Sequence, residues 1–155
     1  MFVGINPGIR SAAIGHHFAG YSNRFWKLLY ESGLIPQPLR ADDDARLCDW
    51  GFGITNLIAR MTPGIDTLER REYPAGLRKL RRKVRRWKPR IVALVGVSLY
   101  RVIFERKGPV TLGLQKDTFE GARVFVLPNP SGRNANFSYA EMLAAFTRLK
   151  VFINN

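Results

Sequence analysis

A single cysteine, Cys48, is present among 155 residues. One thiol permits no internal disulfide and no four-cysteine zinc or iron–sulfur site, so a reducing, intracellular setting is expected. Histidine is almost as scarce, and His16 and His17 stand side by side, far from that cysteine. No metal-ligand spacing results, and neither a metal nor a cofactor is expected. No run approaches the ~18 apolar residues of a membrane span, and the N-terminus lacks the charged and apolar regions of a signal peptide. The expected location is cytoplasmic and nucleoid-associated, with no membrane partner. Gly-x-Gly-x-x-Gly and Gly-x-x-x-x-Gly-Lys are both missing, which removes the fingerprints of dinucleotide and nucleotide-phosphate binding. Acidic residues are few, 12 against 25 Lys and Arg, giving a formal charge of +13 and a pI near 10.7. Such an imbalance points to a polyanionic partner, of which nucleic acid is the usual one.

What the chain does have is apolar mass: at 46% hydrophobic composition, residues 1–155 can form one domain around a sizeable core. Phe2-Val3-Gly4-Ile5 reads as the end of a buried strand, stopped by Asn6-Pro7-Gly8, because Pro removes a donor and Gly permits positive φ. Only three residues precede Gly4, so the natural protein is expected to begin further upstream. Residues 9–21, rich in Gly, Ala and Ser, read as a long irregular loop. Ser22 or Asn23 caps a helix with Phe25, Trp26, Leu29 and Tyr30 at helical spacing, ended by Gly33. Asp42, Asp43 and Asp44 read as the charged first turn of a short helix rather than as a metal site, since consecutive residues cannot all face one ion.

Residues 53–58 are β-prone, with Arg60-Met61-Thr62-Pro63-Gly64 as the exit turn. A helix over 72–87 carries Leu77, Leu80, Val84 and Trp87 on one stripe, surrounded by Arg and Lys, and Pro89 closes it. The run 91–96 is apolar throughout, as in a parallel strand buried on both faces. A helix follows over 98–106. Residues 111–119 and 123–127 flank Glu120-Gly121-Ala122 like the arms of a hairpin. A last amphipathic helix covers 138–149. Strands near 2, 54, 92 and 124, separated by helices, imply a three-layer α/β/α fold with a mainly parallel central sheet of about four strands. In such sheets ligands bind beyond the carboxyl ends of the strands. Asn6, Asn56, Thr62, Asn129, Ser131 and Gly132 all fall there.

Six separated blocks share an order and spacing: Gly4-Ile5-Asn6-Pro7-Gly8, residues 15–20, residues 23–27, Gly53-Ile54-Thr55-Asn56, Thr62-Pro63-Gly64 and Asn129-Pro130-Ser131-Gly132. Together they resemble the mismatch-specific uracil/thymine-DNA glycosylases, the Mug/TDG branch of the uracil-DNA glycosylase superfamily. The resemblance covers nearly the whole chain. It implies a uracil-DNA glycosylase-like fold and a monofunctional base-excision-repair enzyme. Such an enzyme flips uracil, thymine or a modified cytosine from a G-mismatched duplex and hydrolyses the N-glycosidic bond. The implied partner is double-stranded DNA with a mismatched or damaged pyrimidine, bound by a monomer. By the same resemblance Asn6 holds the attacking water, and Phe18 stacks on the flipped base. Ile5 and Gly15 lie against that base, Asn56 reads its edge and Thr62 borders its 5-position. His17, Asn129, Ser131, Gly132, Arg133 and Asn134 contact DNA.

The chemistry of these residue types is consistent. Excising a base from a duplex needs a pocket with a stacking face, polar groups for the base edge and something to fill the gap. An amide does not titrate near neutrality, so Asn6 can orient water but cannot act as a true base. Bond cleavage is then largely dissociative, with the base leaving as an anion stabilised by backbone N–H groups near Ile5 and Phe18. Slow turnover follows.

Two departures bear on specificity. The first motif lacks the Asp of other superfamily branches, which puts broad, fast uracil removal in doubt. At the wedge position stands Arg133, followed by Asn134, where some bacterial relatives have Leu, and Pro-Ser-x-Arg-Asn resembles single-strand-selective relatives. Strand preference stays open, as does the choice among uracil, thymine and alkylated cytosine. Two rival readings are a non-catalytic nucleic-acid-binding module and an α/β enzyme acting on small nucleotides.

Overall fold

The computed structural model describes residues 1–62 and 70–155. Pro63 and Gly64 of the expected exit turn lie outside the described residues. Among those described, five strands form one sheet: β1 (Phe2–Gly4), β2 (Ile54–Asn56), β3 (Ile91–Val95), β4 (Gly113–Phe119) and β5 (Ala122–Leu127), in the order β2-β1-β3-β5-β4. The first four in that order are mutually parallel. The fifth, β4, pairs antiparallel with β5, so the sheet exceeds the expected four strands by the hairpin's first arm. Glu120 and Gly121 make the turn between the two arms with φ of 48° and 83°. Two successive positive φ values match the right-handed twist of a tight hairpin.

The apolar run of β3 is buried on both faces, and side-chain alternation divides it between two cores. Ala93 and Val95, with Phe125 and Leu127 of β5, join one cluster, while Val92 and Leu94, with Val124 and Val126, join the other. A short helix, α1 (Ile9–Ile14), follows the turn after β1. On the first face of the sheet lie α2 (Phe25–Glu31), α5 (Tyr139–Asn154) and a 3₁₀ segment, Ala41–Trp50. On the second lie α3 (Tyr73–Trp87) and α4 (Val97–Phe104). Three layers result, as expected. Each fully buried Leu, Val or Phe contributes roughly 1.5–3 kcal/mol of transfer free energy, which offsets the cost of ordering these elements.

Three local expectations are corrected. Residues 9–21 do not form one irregular loop, because α1 occupies the first half of that stretch. Trp87 is 66% and Tyr30 45% exposed, so neither belongs to the buried stripe of its helix. The short helix expected over 42–50 is present as a 3₁₀ helix, Ala41–Trp50, while α5 runs past its expected end to Asn154. Ser138 caps α5, its Oγ accepting from the Glu141 backbone N–H at 3.1 Å.

Candidate active site

Asn6 stands just beyond β1, where the parallel ladder outlives the strand. The N–H groups of Leu57 and Ile58 donate to the carbonyls of Gly4 and Ile5, each at 2.8 Å. This register brings Asn6 beside residues 60–62. Its Nδ2 donates to Thr62 Oγ1 at 2.7 Å, to the Arg60 carbonyl at 3.1 Å and to the Pro7 carbonyl at 3.4 Å. Two of those partners are carbonyl oxygens that only accept, which fixes the amide's orientation. Oδ1 is thereby left as the amide atom that can accept from a molecule in the cleft. Thr62, 3% exposed, is held in turn by its N–H to the Pro7 carbonyl at 3.3 Å.

The cleft floor is built on a missing side chain. Asn56 pairs in register with Gly4, and a Cβ on Gly4 would lie 2.6 Å from Asn56 Oδ1 and 3.2 Å from Phe18 Cζ. The amide and the ring therefore converge over a bare backbone, which only glycine provides. Phe18 itself has φ of 50°, a left-handed conformation that costs a non-glycine residue roughly 1–2 kcal/mol. It is stacked on Phe25 with centroids 4.1 Å apart.

Contacts on both sides impose that conformation. Asp44 accepts from the His17 N–H at 2.9 Å and meets His16 Nδ1 at 3.1 Å. The His17 carbonyl accepts from Trp26 Nε1 at 3.1 Å, and Ser11 Oγ accepts from the Ala19 N–H at 2.9 Å. Burial pushes the His17 imidazole below its ordinary pKa, with the Asp44 carboxylate opposing the shift. Asp43 accepts from the Arg40 N–H at 2.9 Å, so the acidic triplet serves as cap and loop anchor.

The loop after β5 closes the opposite wall. Asn129 Oδ1 accepts from the Ser131 N–H at 3.0 Å, and Asn134 Nδ2 donates to the Asn129 carbonyl at 2.9 Å. The Arg133 N–H donates to Ser131 Oγ at 3.2 Å. Gly132 packs on the segment before α2: a Cβ there would lie 2.5 Å from Ser22 Cβ. Arg24 reinforces that seam, its N–H donating to the Pro130 carbonyl at 2.9 Å.

The result is a cleft of about 570 Å³ at the carboxyl edge of the sheet. Asn6, Ile5, Phe18, Asn56, Thr62, Asn129, Ser131, Arg133 and Asn134 all line it. Gly15, His17 and Gly132 do not. Gly15 terminates α1 with φ of 74°, His17 anchors the loop that carries Phe18, and Gly132 fits against Ser22. Gly96, Val97 and Ser98, which are absent from the residues expected at the site, also line the cleft where β3 turns into α4. Gly96 has φ of 127° and precedes α4, so the N-terminus of that helix lies at the cleft edge, as suits an anion. A glycine directly after the apolar run is the sequence signal for this corner.

A cleft of mixed polarity, walled by amides, floored by an aromatic ring and set in a strongly basic chain, is suited to a nucleobase and its phosphates. A family model described as the Uracil DNA glycosylase superfamily matches residues 1–150, a span that contains every cleft residue named above. The match supports DNA as the partner and a glycosidic hydrolase activity in base excision repair. With nearly the whole chain matched and an open, mainly parallel sheet beneath the cleft, the chain belongs to the uracil DNA glycosylase superfamily.

Proposed function

We propose that this protein is a monofunctional glycosylase of the mismatch-specific, Mug/TDG-like kind. It removes uracil, thymine or a modified cytosine opposite guanine and leaves an intact abasic site. The single observation that carries the reading is the fixed Asn6 amide: Nδ2 is engaged by Thr62, Arg60 and Pro7, and Oδ1 remains as acceptor for a water molecule. The N-glycosidic bond breaks heterolytically, its electron pair leaving with the base. Water then bonds to C1′ and loses its proton to solvent or to the departed base, since an amide cannot take it.

Phe18 stacks on the flipped pyrimidine, Asn56 faces its polar edge, and backbone N–H groups around Ile5 and Phe18 stabilise the developing anion. Thr62 holds Asn6 through its hydroxyl in addition to bordering the base. The 129–134 loop, with the N-terminus of α4, grips flanking phosphates, and Arg133 fills the space that the base vacates.

Labelled duplexes bearing G·U, A·U, G·T and G·ethenocytosine, with single-stranded U alongside, test the proposal after alkaline cleavage of abasic sites. Cleavage of the G-paired lesions, without a borohydride-trapped adduct, is expected. A trapped covalent adduct, or equal cleavage of A·U and G·U, overturns the mechanism or the specificity respectively. Arg133→Ala should impair duplex cleavage far more than single-strand cleavage, with Arg133→Leu recovering part. Equal losses on both substrates refute the wedge.

A further inference from the structure

Helix α3 carries seven cations, and the fold assigns carboxylate or hydroxyl partners to three of them. Arg81 and Arg85 both pair with Glu120, at 2.8 and 2.9 Å, and Lys83 Nζ donates to Thr55 Oγ1 at 2.6 Å. Arg78, Lys79, Arg82 and Arg86 are exposed, and among the described residues no carboxylate pairs with them. At about 100° per residue these four fall within one narrow sector, opposite the buried Gly76, Leu80 and Val84. Arg78, Arg82 and Arg86 form a straight i, i+4 row about 12 Å long. At its end Trp87 is 66% exposed, with the Arg86 guanidinium 5.2 Å from its ring centroid.

None of these four residues lines the cleft. Gly76 seats α3 against the Leu57 carbonyl, just past the carboxyl end of β2. The helix then runs toward the opposite edge, where β3 begins at Ile91. The cleft that would take the base opens at the carboxyl edge, whereas the row runs along α3 away from it. We infer that the Arg78, Lys79, Arg82 and Arg86 stripe is a second nucleic-acid surface, which holds the phosphate backbone of a DNA segment other than the one being repaired. The inference rests on the reading of the protein as a DNA enzyme. Unneutralised cations on one face match a phosphate row, and the exposed indole beside them offers a stacking or packing surface. Two-segment binding lets the enzyme pass between DNA strands without full release.

The test uses the whole protein and the quadruple variant Arg78→Gln, Lys79→Gln, Arg82→Gln, Arg86→Gln, which keeps helix-forming residues at exposed positions. A short lesion-free duplex is titrated across a salt series, with anisotropy and Trp87 emission as readouts. The parent should bind a second duplex in a separate phase that the variant lacks, with log K falling against log salt at a slope of about 3 to 4, at about 0.9 for each phosphate that the stripe neutralises, and with a change in emission that Trp87→Phe removes. Protein held on an immobilised G·U duplex should capture a second, lesion-free duplex, and the variant should not. Single-turnover base release from a short G·U duplex at saturating protein should be the same for both. A second binding phase and capture that persist equally in the variant overturn the proposal. So does binding of polyglutamate to the stripe without binding of duplex, which assigns it to an acidic protein segment. Absence of base release in both proteins counts against the glycosylase reading instead, while slope and capture still judge the stripe.

Discussion

Adding one methyl group at Gly4 separates the geometry of the cleft from the stability of the fold. Gly4 lacks a positive φ, so alanine meets no backbone strain there, and its Cβ encounters the side chains of Asn56 and Phe18. Moving Asn56 Oδ1 from 2.6 Å to an ordinary contact of 3.4 Å requires a displacement of about 0.8 Å, and the Phe18 ring must give by a few tenths of an ångström. Overpacking of this kind costs about 1–3 kcal/mol, and the lower entropy of the unfolded alanine chain offsets about 0.4–1 kcal/mol of it. The protein should therefore stay folded. A misplacement approaching 1 Å at a reacting centre costs about 10²-fold in rate, or about 2.7 kcal/mol of barrier. Gly4→Ala should thus lose about two orders of magnitude in single-turnover base release from a G·U duplex, with a melting temperature only a few degrees lower. Asn56→Ser opens the same space, so the double variant should lose little more than Asn56→Ser alone. Base release by Gly4→Ala within twofold of the parent, or additive losses in the double variant, would refute the convergence of these groups over Gly4.

Three further outcomes follow from individual contacts. Thr62→Val removes the 2.7 Å acceptor of Asn6 at nearly constant volume, so base release should slow about tenfold with DNA affinity unchanged, and Thr62→Ser should recover most of it. Gly132→Ala drives a Cβ to 2.5 Å from Ser22 Cβ, so calorimetry should show a lower melting temperature by about 2–10 °C, partly restored by Ser22→Gly. His17 has a folded pKa below its ordinary 6.5, so below that pH the unfolded chain binds more protons. Stability from this group is intact above pH 6.5 and lost as pH falls through the folded value, and thermal melts of His17→Gln should show a weaker decline toward acid than the parent.

Legibility in the sequence followed the range of the interactions. The β3 run and the Glu120-Gly121 turn are local, and each stands where its residues place it; the strand also stops at Asn6-Pro7-Gly8, but Gly8 caps α1 at φ of −75° rather than taking a positive φ. Helix α1 was obscured because its only buried residue is Ser11, leaving no apolar stripe to read. Trp87 and Tyr30 misled because helical spacing counts an aromatic as core, whereas tertiary packing leaves both outside. Cleft residues were legible mainly through the resemblance of six motifs. Their mutual support was not: the Asn6 to Thr62 bond joins residues 56 positions apart, and the seat of Gly132 on Ser22 depends on two loops meeting in space. Gly15 and His17 show the same limit, since their motif was visible but their service to the Phe18 loop was not.

The central claim is that Asn6 orients water without contributing to duplex binding, and Asn6→Ala examines it most directly. Single-turnover base release and equilibrium affinity would be measured on the same G·U duplex, with a thermal melt as folding control. Release should fall by about two orders of magnitude or more, while affinity stays within about threefold, because the stacking and phosphate-binding groups remain. A loss of affinity in proportion to the loss of rate, or base release at the parental rate, contradicts the account.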